Sequence, residues 1–204
     1  METVKEPNTE LAGEIRRKTL NLLINKEPEE ISMREIAREC GVSATTLYYY
    51  YTDREALFEE VKRDCLAAMD RYIAKKLRPV SDPARGVRKM LEAFRDWCLA
   101  YPRIALLVMD RFKANRDAGK EELKFYYRST QLGKEILDRA VAAGLSKSTD
   151  TLLDTSLCIA AIWGAVQSVL LNRTIPEYWD KGKQFTDRMI DLCCGAVLTG
   201  GGKK

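Results

Sequence analysis

Residues 32–57 read SMREIARECGVSATTLYYYYTDREAL. Ser32 to Glu35 and Thr52 to Glu55 each have the spacing of a capping box, in which a hydroxyl and a carboxylate three residues on satisfy the orphan amides of a helix start. Ser43 is placed to cap another short helix. The spacing therefore predicts two short helices joined by a tight turn, a helix-turn-helix. Ala37 is small where the second helix must cross the first, and Gly41, four positions on, supplies left-handed backbone for the turn. Ile36, Cys40, Val42 and Leu47 are spaced to lock the pair. On the second helix Ala44, Leu47 and Tyr51 share the inward face, which leaves Thr45, Thr46, Tyr48 and Tyr49 outward. Such groups can donate to phosphate or touch base edges and thymine methyls. The competing reading is a plain αα-corner with an aromatic core. Four consecutive tyrosines argue against it, because on a helix they span every direction.

The same segment resembles the N-terminal region of TetR-type (tetracycline-repressor-like) transcriptional regulators. Their pattern runs Thr-x-x-x-Ile-Ala-x-x-Ala-Gly-Val-Ser-x-Gly-x-Leu-Tyr-x-Tyr-Phe, then x-x-Lys-Glu-x-Leu. Here Ser32 replaces Thr, Cys40 replaces Ala, Tyr51 replaces Phe, Arg54 replaces Lys, and Thr45 stands where Gly is frequent. The resemblance implies that Ser32 and Arg34 lie near the phosphate backbone. It implies that Thr45, Thr46 and Tyr49 face the major groove, that Tyr48 and Arg54 clamp flanking phosphates, and that Ser43 is a further DNA-binding residue. It also implies a homodimer built on the last two helices, about 150–172 and 181–198, bound to a double-stranded, palindromic operator. One head grips only a short half-site, so two are needed, about 34–36 Å apart.

Outward from the motif, helical periodicity is common and Gly/Pro punctuation sparse. Leu11, Ile15, Thr19, Leu22 and Leu23 share one face of a first helix. A long helix opens at Thr52–Asp53 and ends before Pro79. Asp82-Pro83 caps the next, which runs to Tyr101. Ile104 to Phe112 reads as a short helix, Asn115 to Gly119 as a loop, and Lys120 to Ala143 as one helix ending at Gly144. Residues 155–172, TSLCIAAIWGAVQSVLLN, carry no charge. They read better as a helix buried on most sides, as at the centre of a bundle or an oligomer interface, than as a membrane span. The last helix places Phe185, Met189, Leu192, Cys193, Ala196 and Val197 on its apolar side, and the tail GGGKK reads as frayed. The expectation is an all-α chain of about nine helices. Its DNA-binding domain spans 1–56, and a ligand-binding and dimerisation domain spans 57–204. Phe94, Trp97, Tyr101, Met109, Phe125, Tyr126, Trp163 and Gln167 are the candidates to line a pocket for a small apolar or aromatic effector, which the resemblance implies. An ordinary packed core explains each of them singly.

Composition bounds the chemistry. The chain has 204 residues, 46% hydrophobic and 31% charged, and no His. Without His, His-dependent zinc sites and His-based nucleophile triads are excluded. Carboxylate pairs such as Asp110 with Asp117, or Glu121 with Glu122, read as solvated helix faces. No phosphate loop or nucleophile elbow appears. No catalytic residue, metal ligand or cofactor is expected. Six Cys without a CxxC pair, and an N-terminus without an apolar signal core, read as reduced thiols in a cytoplasmic protein. A thiol redox switch through Cys193/Cys194 or Cys98 is the alternative to ligand sensing. The net charge is +4, yet residues 1–51 hold seven basic and nine acidic side chains. Position, not bulk charge, must make the head a DNA binder.

Overall fold

The computed structural model describes residues 8–109 and 119–200. Those residues form ten α-helices and two 3-10 turns, and the only β pairing among them is an isolated bridge between Ser146 and Leu198. The chain divides into two compact units between Leu66 and Ala67, inside the fourth helix.

The first unit holds α1 (Thr9–Asn25), a 3-10 turn (Pro28–Glu30), α2 (Met33–Cys40), α3 (Ala44–Tyr50) and the first half of α4 (Arg54–Leu77). Asn8 caps α1, its side-chain oxygen accepting from the Glu10 and Leu11 amides. Ile15, Ile31, Ile36, Leu47 and Leu57 are fully buried and form the core of this unit. The start of α4 corrects the expected capping box by one residue. Asp53 is the cap, its carboxylate accepting from the Ala56 amide at 2.7 Å, while Glu55 pairs with Arg54. A carboxylate is the stronger acceptor for amides at the positive end of a helix.

The second unit contains the rest of α4, then α5 (Pro83–Ala100), α6 (Pro102–Met109), α7 (Lys120–Tyr126), α8 (Arg128–Ala142), α9 (Thr151–Leu170), a 3-10 turn (Pro176–Lys181) and α10 (Gly182–Val197). Asp82 caps α5 ahead of Pro83, as the sequence predicts. α6 opens at Pro102 rather than Ile104, because proline is tolerated in a first helical turn. The helix expected over 120–143 is two, broken at Tyr127, whose backbone (φ −99°, ψ 16°) leaves the helical region. The loop placed at Asn115 and the tail GGGKK lie largely outside the described residues. α5 is the central element, packed against α8, α9 and α10, with Met90, Leu91, Phe94, Trp97 and Cys98 buried.

Within the single chain the uncharged helix is not buried on most sides. Thr155, Cys158, Ile162, Ala165 and Val166 of α9 face the core, while Leu152, Leu153 and Leu157 are more than half or about half exposed. α9 is the one helix among the described residues long and apolar enough to cross a bilayer. On α10 the inward face is Thr186, Ile190, Cys193, Cys194 and Val197, and Leu192 is exposed. Of the predicted stripe, Cys193 and Val197 are buried, Phe185 and Met189 are half-buried, and Leu192 and Ala196 are exposed.

Candidate nucleic-acid interface

The α2–α3 corner is built by local chemistry. Ser32 Oγ accepts from the Glu35 amide at 3.2 Å, and the Glu35 carboxylate is taken by Lys26 Nζ at 2.6 Å. That hydrogen bond from Lys26 holds the Glu35 carboxyl below its usual range. Gly41 has φ +70°, and the Val42 amide then donates back to the Ala37 carbonyl at 3.0 Å. This closes α2 with a left-handed residue and aims the chain into α3. Ser43 Oγ accepts from the Thr46 amide at 3.0 Å and lies 2.8 Å from the Thr46 hydroxyl. The Ser43 and Thr46 hydroxyls therefore serve each other at the start of α3.

The four tyrosines separate as their directions require. Leu47 and Tyr51 are buried, while Tyr48 and Tyr49 are 52% and 54% exposed. Thr45 and Arg34 are also exposed. Tyr50 turns to α1, where its hydroxyl accepts from the Asn8 amide at 3.1 Å. The Tyr51 hydroxyl donates to the Ala12 carbonyl at 3.3 Å and accepts from Arg16 at 3.2 Å. Arg16 in turn donates to Asp64 of α4 at 2.6 Å, and this hydrogen bond to Asp64 is the main cause that raises the Arg16 pKa. The chain Asp64–Arg16–Tyr51 ties α4, α1 and the end of α3 together. It holds the outer face of α3 rigid without contributing to it. The sequence carries no local signal for this chain, since its members are far apart in number.

Arg54 differs from its implied role. Its guanidinium donates to the carbonyls of Pro28 and Ile31, both at 3.0 Å, and to Glu55 at 2.9 Å, and it lies over the Phe58 ring. Those two carbonyls belong to the segment before α2, and the Pro28 carbonyl also accepts from the Ile31 amide at 3.3 Å, so Arg54 is a second donor there. Arg54 therefore positions α2 on α4 and does not reach outward as a free cation.

The candidate pocket residues fall into pairs. Phe94 stacks on Trp163 with ring centroids 5.9 Å apart, and Trp97 lies 5.8 Å from Tyr101. Phe125 and Tyr126 meet edge to face at 5.6 Å. Phe94 and Trp97 are buried, Tyr101 is exposed, and Met109 and Gln167 are half-buried. A cavity of about 20 Å³ lies between α5, α8, α9 and α10, lined by Val87, Met90, Leu137, Thr155, Cys158 and Val197 among others, and by none of the eight. It has room for about one water molecule. Among the described residues no cluster of three Cys, Asp or Glu side chains is arranged to hold a metal ion.

Residues 15–61 match the family model of the bacterial regulatory proteins of the tetR family. No curated protein matches the chain. Among solved structures, a protein of unknown function from Rhodococcus sp. RHA1 superposes with a TM-score of 0.76 at 17% identity, covering 97% of this chain and 100% of that one. A bacterial regulatory protein in the tetR family from Rhodococcus RHA1 gives 0.69 at 17% identity, with 96% and 100% covered. A TetR family transcription regulator from Marinobacter aquaeolei VT8 gives 0.68 at 17% identity, with 93% and 96% covered. At these identities the likeness is one of fold, and it extends over both units.

Proposed function

On the premise that the chain carries the DNA-binding head of the tetR family on a TetR-type fold, we propose that it is a ligand-responsive transcriptional regulator. It acts as a repressor that a small apolar or aromatic effector releases from a palindromic operator. The observation that carries this reading is the outer face of α3: Thr45, Tyr48 and Tyr49 stand exposed on a helix whose opposite side, through Leu47, is fully buried. Thr45, Thr46 and Tyr49 meet base edges. Tyr48 and Arg34 meet phosphates, with the caps Ser32 and Ser43 beside them, and Arg54 orders the corner from behind.

A dimer follows from the need for two half-sites. The exposed leucines Leu152, Leu153 and Leu157 of α9 and Leu192 of α10 support pairing through these two helices. Large apolar side chains gathered on one face mark an interaction surface.

The second unit then senses the effector, with Phe94, Trp97, Tyr101, Met109, Phe125, Tyr126, Trp163 and Gln167 as its contacts. The response is linkage: effector and operator favour different states, and each weakens the other by the same factor. A hundredfold loss of operator affinity corresponds to about 2.7 kcal/mol of coupling. Such a protein works in the cytoplasm.

Selection of bound duplex from a random pool, with sedimentation of the free chain, tests the reading. A palindrome with half-sites about one turn apart and a dimer in solution are expected. A monomer that enriches no sequence ends it.

A further inference from the structure

All six cysteines are buried as free thiols, but only some of them have a sulfur neighbour. Cys40, Cys65 and Cys98 stand on α2, α4 and α5, one to a helix. Cys193 and Cys194 are adjacent in α10, yet successive helical side chains point about 100° apart. Cys194 turns toward Arg88 of α5. Cys193 turns toward α9, where its thiol donates to the Cys158 carbonyl at 3.9 Å. We infer that Cys158 and Cys193 form a dithiol that a hydroperoxide converts to a disulfide, fastening α9 to α10. The inference concerns thiol chemistry alone and stands apart from the operator and effector readings.

Three features favour this pair over the others. First, Cys158 lines the cavity of about 20 Å³, beside Val87, Met90 and Thr155. Hydrogen peroxide is uncharged and little larger than the one water such a space holds. Second, the two thiols are inequivalent. The hydrogen bond from Cys158 favours the Cys193 thiolate and holds that thiol below its ordinary range, while the Cys158 thiol is held above it. The thiolate is the nucleophile in such chemistry, and whichever of the two sulfurs peroxide oxidises, the other resolves. Third, burial disfavours the thiolate at the remaining four: Cys98 is pushed up to about 12, Cys65 and Cys194 to about 11, and Cys40 above its ordinary range.

The thiolate of one of the pair attacks one peroxide oxygen, the O–O bond breaks, and after protonation one water leaves and that cysteine carries a sulfenic acid. The sulfur of the other cysteine then attacks the oxidised sulfur, the S–O bond breaks, and the hydroxyl leaves with the second thiol's proton as a second water. Two thiols are oxidised by two electrons in total, and one peroxide is reduced to two waters.

The test treats the reduced full-length chain with one equivalent of hydrogen peroxide. Intact-mass measurement and peptide mapping after thiol alkylation follow. The expected result is a loss of two hydrogens, loss of alkylation at Cys158 and Cys193 together, and a cross-linked peptide joining them that dithiothreitol releases. Cys194→Ser retains the cross-link; Cys158→Ala and Cys193→Ala abolish it. Because an alanine at these buried sites can loosen the fold, circular dichroism accompanies the variants, and mapping of the unsubstituted chain decides alone. Overoxidation of either cysteine with the other still free, a bond to Cys194, a bond between two chains, or full alkylation of both thiols overturns the inference.

Discussion

The guanidinium of Arg95, buried in α5, donates to the carboxylate of Asp187 on α10 and, at 2.5 Å, to Asp96 beside it. A buried cation is costly unless its donors are matched, and here two half-exposed carboxylates share the task. Each alone is replaceable by the other. Asp187→Ala or Asp96→Ala is expected to cost about 1 kcal/mol, since half-exposed partners are screened. The double substitution strands the guanidinium and should cost about 3–5 kcal/mol, more than the sum. Urea unfolding of the four chains measures the excess, and simple additivity would disprove the sharing.

The same contact sets an acid limb to stability. Burial opposes ionisation of Asp187, but hydrogen bonds from Lys183 and Arg95 outweigh it and hold the carboxyl below the usual carboxylate range. A depressed native pKa contributes stability that is complete above the unfolded value, about 3.9, and is lost as pH falls through the native one. Stability should therefore fall below about pH 4, and Asp187→Asn should flatten that fall. An unchanged acid limb in the variant would contradict this assignment.

Asp70 of α4 has the opposite sign. Burial pushes its carboxyl up, against the hydrogen bond from Ser129 of α8 and the charges of Arg128 and Arg71. The native state then holds the proton more tightly than the unfolded chain, so the ionised form costs stability at all pH above the raised pKa. Asp70→Asn keeps an acceptor for Ser129 and removes the buried charge. It should raise stability at pH 7 by about 1 kcal/mol, an advantage that shrinks as pH falls through the Asp70 pKa. Melting temperatures at pH 7 and pH 4 test the crossover.

Two glycines should fail for different reasons. A Cβ on Gly41 would meet nothing within 4 Å, yet its φ of +70° strains any L-residue. Gly41→Ala should cost about 1–2 kcal/mol, and Gly41→Asn less. A Cβ on Gly133 of α8 would lie 2.7 Å from Thr155 Cγ2 and 2.9 Å from the Met90 sulfur. Gly133→Ala should cost about 1–3 kcal/mol by overpacking. Thr155→Ser removes the offending methyl, so the Gly133→Ala/Thr155→Ser pair should recover part of that loss in thermal unfolding. No recovery would point to a backbone cause instead.

What could be read in the sequence was local, and what could not was long-range. Gly41, Ser43 and Asp82-Pro83 act within three or four residues, and each does in the structure what its spacing predicts. The break at Tyr127 has no glycine or proline to announce it, because the residues around it keep a helical rhythm. Thr52 and Asp53 compete for one cap, and the choice turns on amides that spacing alone does not rank. Arg54 looks like a cation free for phosphate until the carbonyls of Pro28 and Ile31, more than twenty positions earlier, come to it. Cys193 finds Cys158 rather than its neighbour Cys194 for the same reason: helix pairing chooses the partner.

That difference for Arg54 yields the sharpest test of the proposed interface. Thr45→Ala removes an exposed group, so folding stability should change by no more than about 0.5 kcal/mol, while Tyr49→Ala also removes the edge-to-face contact with Tyr50 and should cost about 0.5–1.5 kcal/mol. Loss of a base contact should weaken binding to the selected duplex by about 1–3 kcal/mol, roughly tenfold to a hundredfold. Arg34→Ala removes an exposed cation and should lower the salt slope of binding by about 1. Arg54→Ala should instead lower the melting temperature, since the Pro28 and Ile31 carbonyls each lose a charged donor, and leave the salt slope unchanged. Fluorescence anisotropy across a salt series, with melting curves of the same samples, separates the two arginines. A reduced slope for Arg54→Ala at unchanged stability would return Arg54 to the phosphates and take it out of the scaffold.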